Sequence, residues 1–211
     1  EPELALMSAI SEQHKLSLIV DEVFVDYAFS EGNTRVVSTA NSSNILTFTL
    51  NGISKLAGLP QMKLGWIVVS GPAEKKNEAL ARLEIIADTY LSVSTPVQVA
   101  LPRLLECGTT IRDSIRRRTA ENLKVIRRLV SGDSKCTLLQ SEGGWYANLQ
   151  VPRTRTDEQW AIGLLQDEGV YTHPGYFFDF ENDSMLVLSL LPEVQLFEEG
   201  VRRITGYVAR S

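Results

Sequence analysis

Three short apolar runs near the beginning of the chain constrain its fold more than any other feature. They cover residues 16–25, 45–50 and 66–70, are rich in β-branched side chains and are separated by polar loops. Runs of this length and composition are typical of buried strands. Because a stretch with helical periodicity follows at residues 73–131, we predict an α/β fold with strands at about 17–24, 45–50 and 66–70.

The other elements are predicted from helix caps, glycines and further apolar runs. Thr95-Pro96 begins a helix that Gly108 is expected to end, and a second long helix follows over about 109–130. Thr156 is expected to cap a later helix that stops near Gly169. The remaining predicted elements are short strands at 136–139, 145–151, 170–172 and 185–190 and a final helix from about 193 to 208.

Composition argues against several classes of protein. A net charge of -5 and a pI near 5.2 give no basic surface for nucleic acid or an anionic membrane, and no apolar run is long enough to span a bilayer. No basic region followed by an apolar run stands at the start of the sequence, so no signal peptide is expected. Cys107 and Cys136 lack the spacing of a metal site or disulfide framework, and a cytoplasmic location is therefore expected. His14 and His173 have no neighbouring ligands in sequence, so no metal is predicted.

Titratable residues follow the first two predicted strands. Asp21 comes directly after Leu18-Ile19-Val20, and the second run leads into Asn51-Gly52-Ile53-Ser54-Lys55. Because ligands of open α/β sheets bind beyond the carboxyl ends of strands, an acid and a lysine are expected at one edge. Pyridoxal 5'-phosphate (PLP) requires both, since its aldehyde condenses with a lysine amine and its ring nitrogen needs a carboxylate to stay protonated. Taken singly, a loop-capping aspartate and a solvated lysine are the more common interpretations.

Two longer motifs favour the PLP site over these more common interpretations. Residues 54–66, Ser-Lys-Leu-Ala-Gly-Leu-Pro-Gln-Met-Lys-Leu-Gly-Trp, resemble the segment S-K-x-x-G-L-P-x-x-R-x-G-W of class I/II aminotransferases. Residues 18–27 resemble the strand of the same family that carries D-E-V-Y, and the two motifs occur in the expected order. Later agreements are Gly143-Gly144-Trp145-Tyr146, residues 170–175 and Leu188-Ser189, so the resemblance covers nearly the whole chain.

The resemblance implies a fold-type I PLP-dependent enzyme that transfers an amino group between an amino acid or amine and a 2-oxo acid. It implies that Lys55 forms the internal aldimine and moves protons, and that Asp21 pairs with the pyridinium nitrogen. Lys63 stands where the family usually places an arginine on the PLP phosphate. A homodimer is also implied, with neither nucleic acid nor a membrane as partner.

The resemblance further implies the domain organisation. Residues 1–94 would form the C-terminal part of the PLP-binding large domain, with its mixed, mostly parallel sheet, and residues 95–131 a long interdomain helical segment. Residues 132–211 would form a small α/β domain, with the boundary at 132–134. The first helical turn contains Glu1 and no initiator methionine, so we expect an incomplete C-terminal fragment that is inactive alone.

Three departures from the family pattern leave alternatives open. Gly52 stands where a phosphate-binding serine is common, with Ser54 or Thr49 as the residues that could compensate. Phe24 stands where a tyrosine commonly contacts PLP, and Tyr27, three residues along a strand, would face the other way. Val187 replaces the arginine that clamps the substrate α-carboxylate. Either another arginine substitutes, the substrate lacks that carboxylate, or the protein is another PLP-dependent enzyme (a lyase, racemase or decarboxylase) or a non-catalytic binding or scaffold relative.

Overall fold

The computed structural model describes residues 2–30, 35–41, 44–132, 134–181 and 184–211. These residues form two compact units, Glu1–Asp113 and Ser114–Ser211. Glu1 in the predicted first turn and Asp133 in the predicted boundary lie outside the described residues. Among the helices in the described ranges, none has both the length and the apolar composition that crossing a bilayer requires.

The first unit combines a small sheet with helices. Its strands are β1 (Leu18–Asp21), β2 (Thr47–Gly52) and β3 (Gly65–Ser70). Its helices are α1 (Pro2–Gln13), the short α2 (Ile53–Leu56), α3 (Ala73–Asp88) and the first half of α4 (Thr95–Val130). Helix α4 continues into the second unit. In the sheet, β2 lies between the other two strands, parallel to β1 and antiparallel to β3. This mixed arrangement agrees with the predicted α/β class.

The first strand is shorter than predicted. It ends at Asp21, because the chain then turns: the Val23 amide bonds to the Asp21 carboxylate and the Val25 amide to the Glu22 carbonyl. A short 3₁₀ turn follows at Val25–Tyr27, where extended structure was expected to continue.

The predicted helix break at Gly108 is wrong. Helix α4 passes through this residue without interruption. A Cβ at position 108 would lie 2.5 Å from the Cβ of Ala57, so the glycine permits the helix to approach the segment after α2 closely. Glycine also ends helices because it adopts left-handed backbone conformations, and local sequence does not separate the two uses.

The second unit contains an antiparallel sheet in the order β4-β5-β7-β6, with two helices after α4. The elements are β4 (Thr137–Leu138), β5 (Tyr146–Gln150), α5 (Asp157–Glu168), β6 (His173–Pro174), β7 (Met185–Ser189) and α6 (Val194–Arg210). Buried residues of β5 and β7 share a core with apolar residues of α5 and α6, including Trp160, Leu164 and Val201.

The cap of α5 is confirmed, whereas the strand predicted after it is not. The Thr156 hydroxyl accepts a bond from the Gln159 amide while the Gln159 side chain accepts from Thr156, and Gly169 ends the helix with φ 65°. Residues 170–172 form no strand, because the Val170 amide is still bonded to a carbonyl of α5. Pairing begins only at His173, opposite Val187.

Candidate active site

Lys55 lies in a short helical turn that its apolar neighbours anchor. Ile53 and Ala57 are fully buried and pack with Leu64 in one cluster, and the Ile53 amide donates to the Leu64 carbonyl at 3.1 Å. The three residues between Ile53 and Ala57 are half-buried, and the side chain of Lys55, the middle one, is therefore partly accessible. The turn is therefore fixed by packing, and Lys55 projects from a rigid base.

Asp21 lies at the same sheet edge, as predicted from the strand ends. It pairs in register with Leu50 of the parallel strand β2, it is exposed, and its Oδ1 accepts a bond from the Val23 amide at 3.0 Å. Asn51 connects the two strand ends: its Nδ2 donates to the Glu22 carbonyl at 3.3 Å and its Oδ1 accepts from the Gly52 amide at 2.7 Å. The turn after Asp21 is thereby tied to the strand that leads to Lys55.

Lys63 lies two residues before β3, the strand on the other side of β2. It is exposed, its backbone adopts the left-handed conformation (φ 51°), and it precedes Gly65, which pairs with Gly52. The residue that follows it, Leu64, accepts the amide of Ile53, so the segment that carries Lys63 is bonded to the start of the Lys55 turn.

Glu22 is a structural acid that the sequence reasoning did not single out. It is 8% exposed, its Oε1 accepts from the Thr39 amide (2.6 Å) and hydroxyl (2.9 Å), and its Oε2 accepts from the Ser38 hydroxyl at 2.8 Å. The Thr39 hydroxyl is also 2.9 Å from that of Thr49 in β2. Burying a carboxylate requires such partners, so Glu22 holds the segment around Thr39 against the sheet.

Tyr27 contacts the main chain of Lys55, contrary to the expectation that it faces away. Because β1 ends at Asp21, the alternation of a strand does not apply to it, and the 3₁₀ turn directs its phenol inward. The side chain is fully buried and donates to the Lys55 carbonyl at 2.6 Å. Burial raises the pKa of Tyr27 to about 12, with Arg112 opposing the rise and Asp26 and Asp113 adding to it.

Phe24 supports the side chain of the same lysine. The Lys55 Nζ lies 5.8 Å from the centroid of the Phe24 ring, within the range of a cation–π contact. The Phe24 and Tyr27 rings meet edge to face at 6.4 Å. The residue at the position of the expected tyrosine thus contacts the lysine amine through its ring face.

The donor set of this sheet edge fits PLP. It offers a half-buried primary amine at Lys55, an exposed carboxylate at Asp21 and an exposed ammonium at Lys63. These groups match, in turn, an aldehyde, a protonated ring nitrogen and a phosphate.

Val187 occupies the centre of the second unit's sheet. It is 2% exposed and lies between Asn148 and His173 in register, so the three side chains share one face. The Phe178 ring is 5.9 Å from the Tyr146 ring on one side of β7 and 6.0 Å from the His173 ring on the other, which places it over that face. An arginine at position 187 would meet this aromatic cover.

Comparisons with known proteins agree with the motifs. The family model described as aminotransferase class I and II matches residues 1–203. The chain is 23% identical over 206 residues to the glutamate-pyruvate aminotransferase AlaA of Haemophilus influenzae, with 95% of this chain and 51% of that protein covered. It is 22% identical over 212 residues to an alanine aminotransferase of Mycobacterium tuberculosis, with 97% and 49% covered. The chain spans about half the length of these curated relatives.

Solved structures show the same fold. A tyrosine aminotransferase from Leishmania infantum superimposes with a TM-score of 0.85 at 21% identity, over 100% of this chain and 52% of that one. An alanine aminotransferase from Pyrococcus furiosus gives a TM-score of 0.80 at 18% identity, over 100% and 54%. The predicted fold-type I class is confirmed.

Proposed function

Because the chain belongs to the class I and II aminotransferase family, whose members depend on PLP, we propose that it is part of an enzyme that transfers amino groups to 2-oxo acids. The observation that supports this function most directly is the placement of Lys55. Its turn is anchored by buried residues and bonded to Tyr27, and it follows a strand that pairs with the strand ending in Asp21.

Each of the three predicted residues has a role in this proposal. When bound, PLP supplies an electrophilic carbon and an electron-accepting ring. Lys55 would hold the cofactor covalently through its amine, and the same amine, once released, would remove a proton from the α carbon of the substrate and return one. The Asp21 carboxylate would accept a hydrogen bond from the protonated ring nitrogen and so keep that nitrogen protonated. Lys63 would balance the phosphate as a point charge without the paired bonds of an arginine.

We propose the domain roles and the assembly by the same reasoning. Residues 1–94 would belong to the cofactor-binding domain, 95–131 to a connecting helical segment and 132–211 to a small domain. The full-length protein would be a homodimer, and its substrates would be a small amino donor and a 2-oxo acid acceptor.

Val187 bears on the choice of substrate. A buried valine provides no charge for a carboxylate, and the loss of a bidentate arginine contact worth a few kcal/mol corresponds to roughly 100-fold in affinity. We therefore expect the full-length enzyme either to use common α-amino acids weakly or to prefer amines without an α-carboxylate. Measurement of kcat/KM for alanine, for glutamate and for the amines that lack their α-carboxylates tests this. Ordinary efficiency with the two amino acids would mean that another cation binds the carboxylate.

Borohydride trapping tests the cofactor assignment. The full-length protein is incubated with PLP, reduced with borohydride and digested, and the modified peptides are identified by mass spectrometry. We expect the adduct on Lys55, and we expect the Lys55→Ala variant to lose it while the exposed control Lys75→Ala retains it. Undiminished labelling of the Lys55→Ala protein at saturating PLP, or labelling spread over surface lysines, would contradict the assignment.

A further inference from the structure

The carbonyl of Lys55 has an unusual hydrogen-bond partner. Helix α2 has four residues, and the Lys55 carbonyl accepts the amide of Gly58, two residues beyond the helix, at 3.4 Å, near the limit for a hydrogen bond. The phenol of Tyr27, 28 residues earlier in the chain, donates to the same oxygen at 2.6 Å. The shorter contact comes from a side chain of another segment, so the conformation of the lysine residue depends on Tyr27.

The surroundings of Tyr27 hold its phenol in place. Its side chain is fully buried, and its pKa of about 12 leaves it protonated throughout the neutral range. The neighbouring Asp26 lies 3.7 Å from Arg112 of α4, which ties the 3₁₀ turn to that helix within the first unit. The donor is therefore attached to two elements, the turn after β1 and α4.

The side chain of Lys55 is supported from the same turn. The Phe24 ring lies under the lysine amine at 5.8 Å and packs edge to face with Tyr27. Two aromatic residues three positions apart therefore contact the same lysine: Tyr27 at its main chain and Phe24 at its amine.

We propose that Tyr27 is a positioning residue for Lys55, fixing its main chain through the carbonyl while Phe24 fixes the place of its amine. This rests on the proposed function, in which Lys55 carries the cofactor, and deepens it. Tyr27 acts through the lysine: it sets the direction from which the amine approaches an aldehyde. Removing the phenol oxygen leaves the lysine present and chemically intact but no longer held in one orientation.

Site-resolved trapping with PLP tests the proposal. Full-length protein is titrated with PLP and reduced, and the fraction modified at Lys55 is compared with that at the exposed Lys75 by peptide mass spectrometry. We expect Tyr27→Phe to raise the PLP concentration for half-maximal trapping of Lys55 roughly two- to tenfold, the range of one hydrogen bond, with Lys75 unchanged. The control is Tyr90→Phe, which removes a phenol from a 73% exposed tyrosine of the same unit.

The ratio of the modified fraction at Lys55 to that at Lys75 distinguishes a loss of positioning from a general loss of structure. A variant that is merely less stable lowers the folded fraction, which circular dichroism reports, without changing the half-maximal concentration of the molecules that remain folded. The absorbance maximum of the protein loaded with PLP, measured before the reduction, provides a second readout. We expect Tyr27→Phe to shift it relative to Tyr90→Phe.

The possible failures are distinguishable. Absence of Lys55 trapping in the unmodified protein would overturn the proposed function itself. Trapping of Lys55 in Tyr27→Phe with a half-maximal concentration within twofold of the unmodified protein would overturn the positioning role and leave the proposed function standing. If Tyr27→Phe does not fold, Phe24→Leu decides: loss of the cation–π contact is expected to weaken trapping roughly two- to fivefold, and no change overturns the proposal.

Discussion

Asp157 is expected to be among the most sensitive single positions of the second unit. It is the first residue of α5 and is 3% exposed. Its Oδ2 accepts the Tyr176 amide at 3.1 Å, and its Oδ1 accepts the Met185 amide at 3.0 Å and also the Ser184 amide. Three main-chain donors from two later segments therefore converge on one buried carboxylate.

The substitution Asp157→Asn keeps the shape and removes one acceptor. Whichever way the amide is turned, its NH₂ group faces at least one of the main-chain amides that the carboxylate satisfied. One charge-assisted bond is lost, worth about 1.5–3 kcal/mol, and a buried donor is left without an acceptor, costing about 1–3 kcal/mol. Partial relaxation of the loop reduces the sum, so we expect the free energy of unfolding to fall by about 3 kcal/mol.

Local backbone strain adds to the expected effect. Ser184, whose amide bonds to Asp157, has φ 76°, a conformation that costs a residue with a side chain about 1–2 kcal/mol. Gly175 allows the approach of the carboxylate, since a Cβ there would lie 2.8 Å from Oδ2. Where the NH₂ group of the asparagine faces the Ser184 amide, a bond that offsets the strain at Ser184 is lost, so the residues around Ser184 and Tyr176 are expected to loosen first.

Urea unfolding measures this prediction. Tryptophan fluorescence follows the transition, and Trp160, fully buried in α5, contributes to it from the same region. The control Asp179→Asn removes an exposed acid in a left-handed conformation that asparagine tolerates, so a change within about 0.5 kcal/mol is expected. A change of less than about 1 kcal/mol for Asp157→Asn would refute the reasoning, because it would mean that the three bonds contribute no more than surface contacts.

Three further predictions concern other sites. Because burial raises the pKa of Tyr27 to about 12, the folded state keeps a proton that the unfolded chain loses near pH 10, so stability should fall by about 2 kcal/mol as the pH rises from 10 to 12. Gly163→Ala should destabilise the second unit by about 1–2 kcal/mol, because the added Cβ would collide with the phenol of Tyr207. Exposed Cys107 should react rapidly with an aromatic disulfide reagent, whereas buried Cys136, whose thiol pKa is raised by burial, should react only on unfolding.

Each has a control or an opposing outcome. In Tyr27→Phe the loss of stability between pH 10 and 12 should be smaller by the same amount, and an unchanged profile would mean that Tyr27 titrates normally. Gly200→Ala, in α6 with no atom within 4 Å of the added Cβ, should stabilise by up to about 1 kcal/mol, in contrast to Gly163→Ala. Reaction of both thiols at one rate in the native protein would contradict the burial of Cys136.

Sequence alone determined the elements whose signals are local. The apolar runs located β2 and β3 to within about two residues, and Thr156 and Gly169 marked the two ends of α5. The motif from Ser54 to Trp66 predicted the family and the fold because it keeps residue types at fixed spacing along one continuous segment. That Asp21 and Lys55 lie at one edge of the sheet also followed from sequence, since parallel strands place their carboxyl ends together, whereas the direct pairing of their strands is seen only in the structure.

Local sequence did not determine what a glycine or an aromatic residue contacts. Gly108 carried the signal of a helix end, yet it lies within α4, where the absence of a side chain lets Ala57 pack closely against the helix. Tyr27 was assigned to a strand facing away from Lys55, yet the turn after Asp21 brings its phenol to the lysine carbonyl.

The tertiary structure decided the partners that are distant along the chain. Glu22 is bonded to Thr39, Tyr27 to Lys55, and Asp157 to amides 19 to 28 residues later. None of these pairs has a characteristic spacing, because the separation is set by the lengths of the loops between elements. A buried carboxylate, phenol or carbonyl must find a partner, and only the folded arrangement of the chain determines which one is within reach.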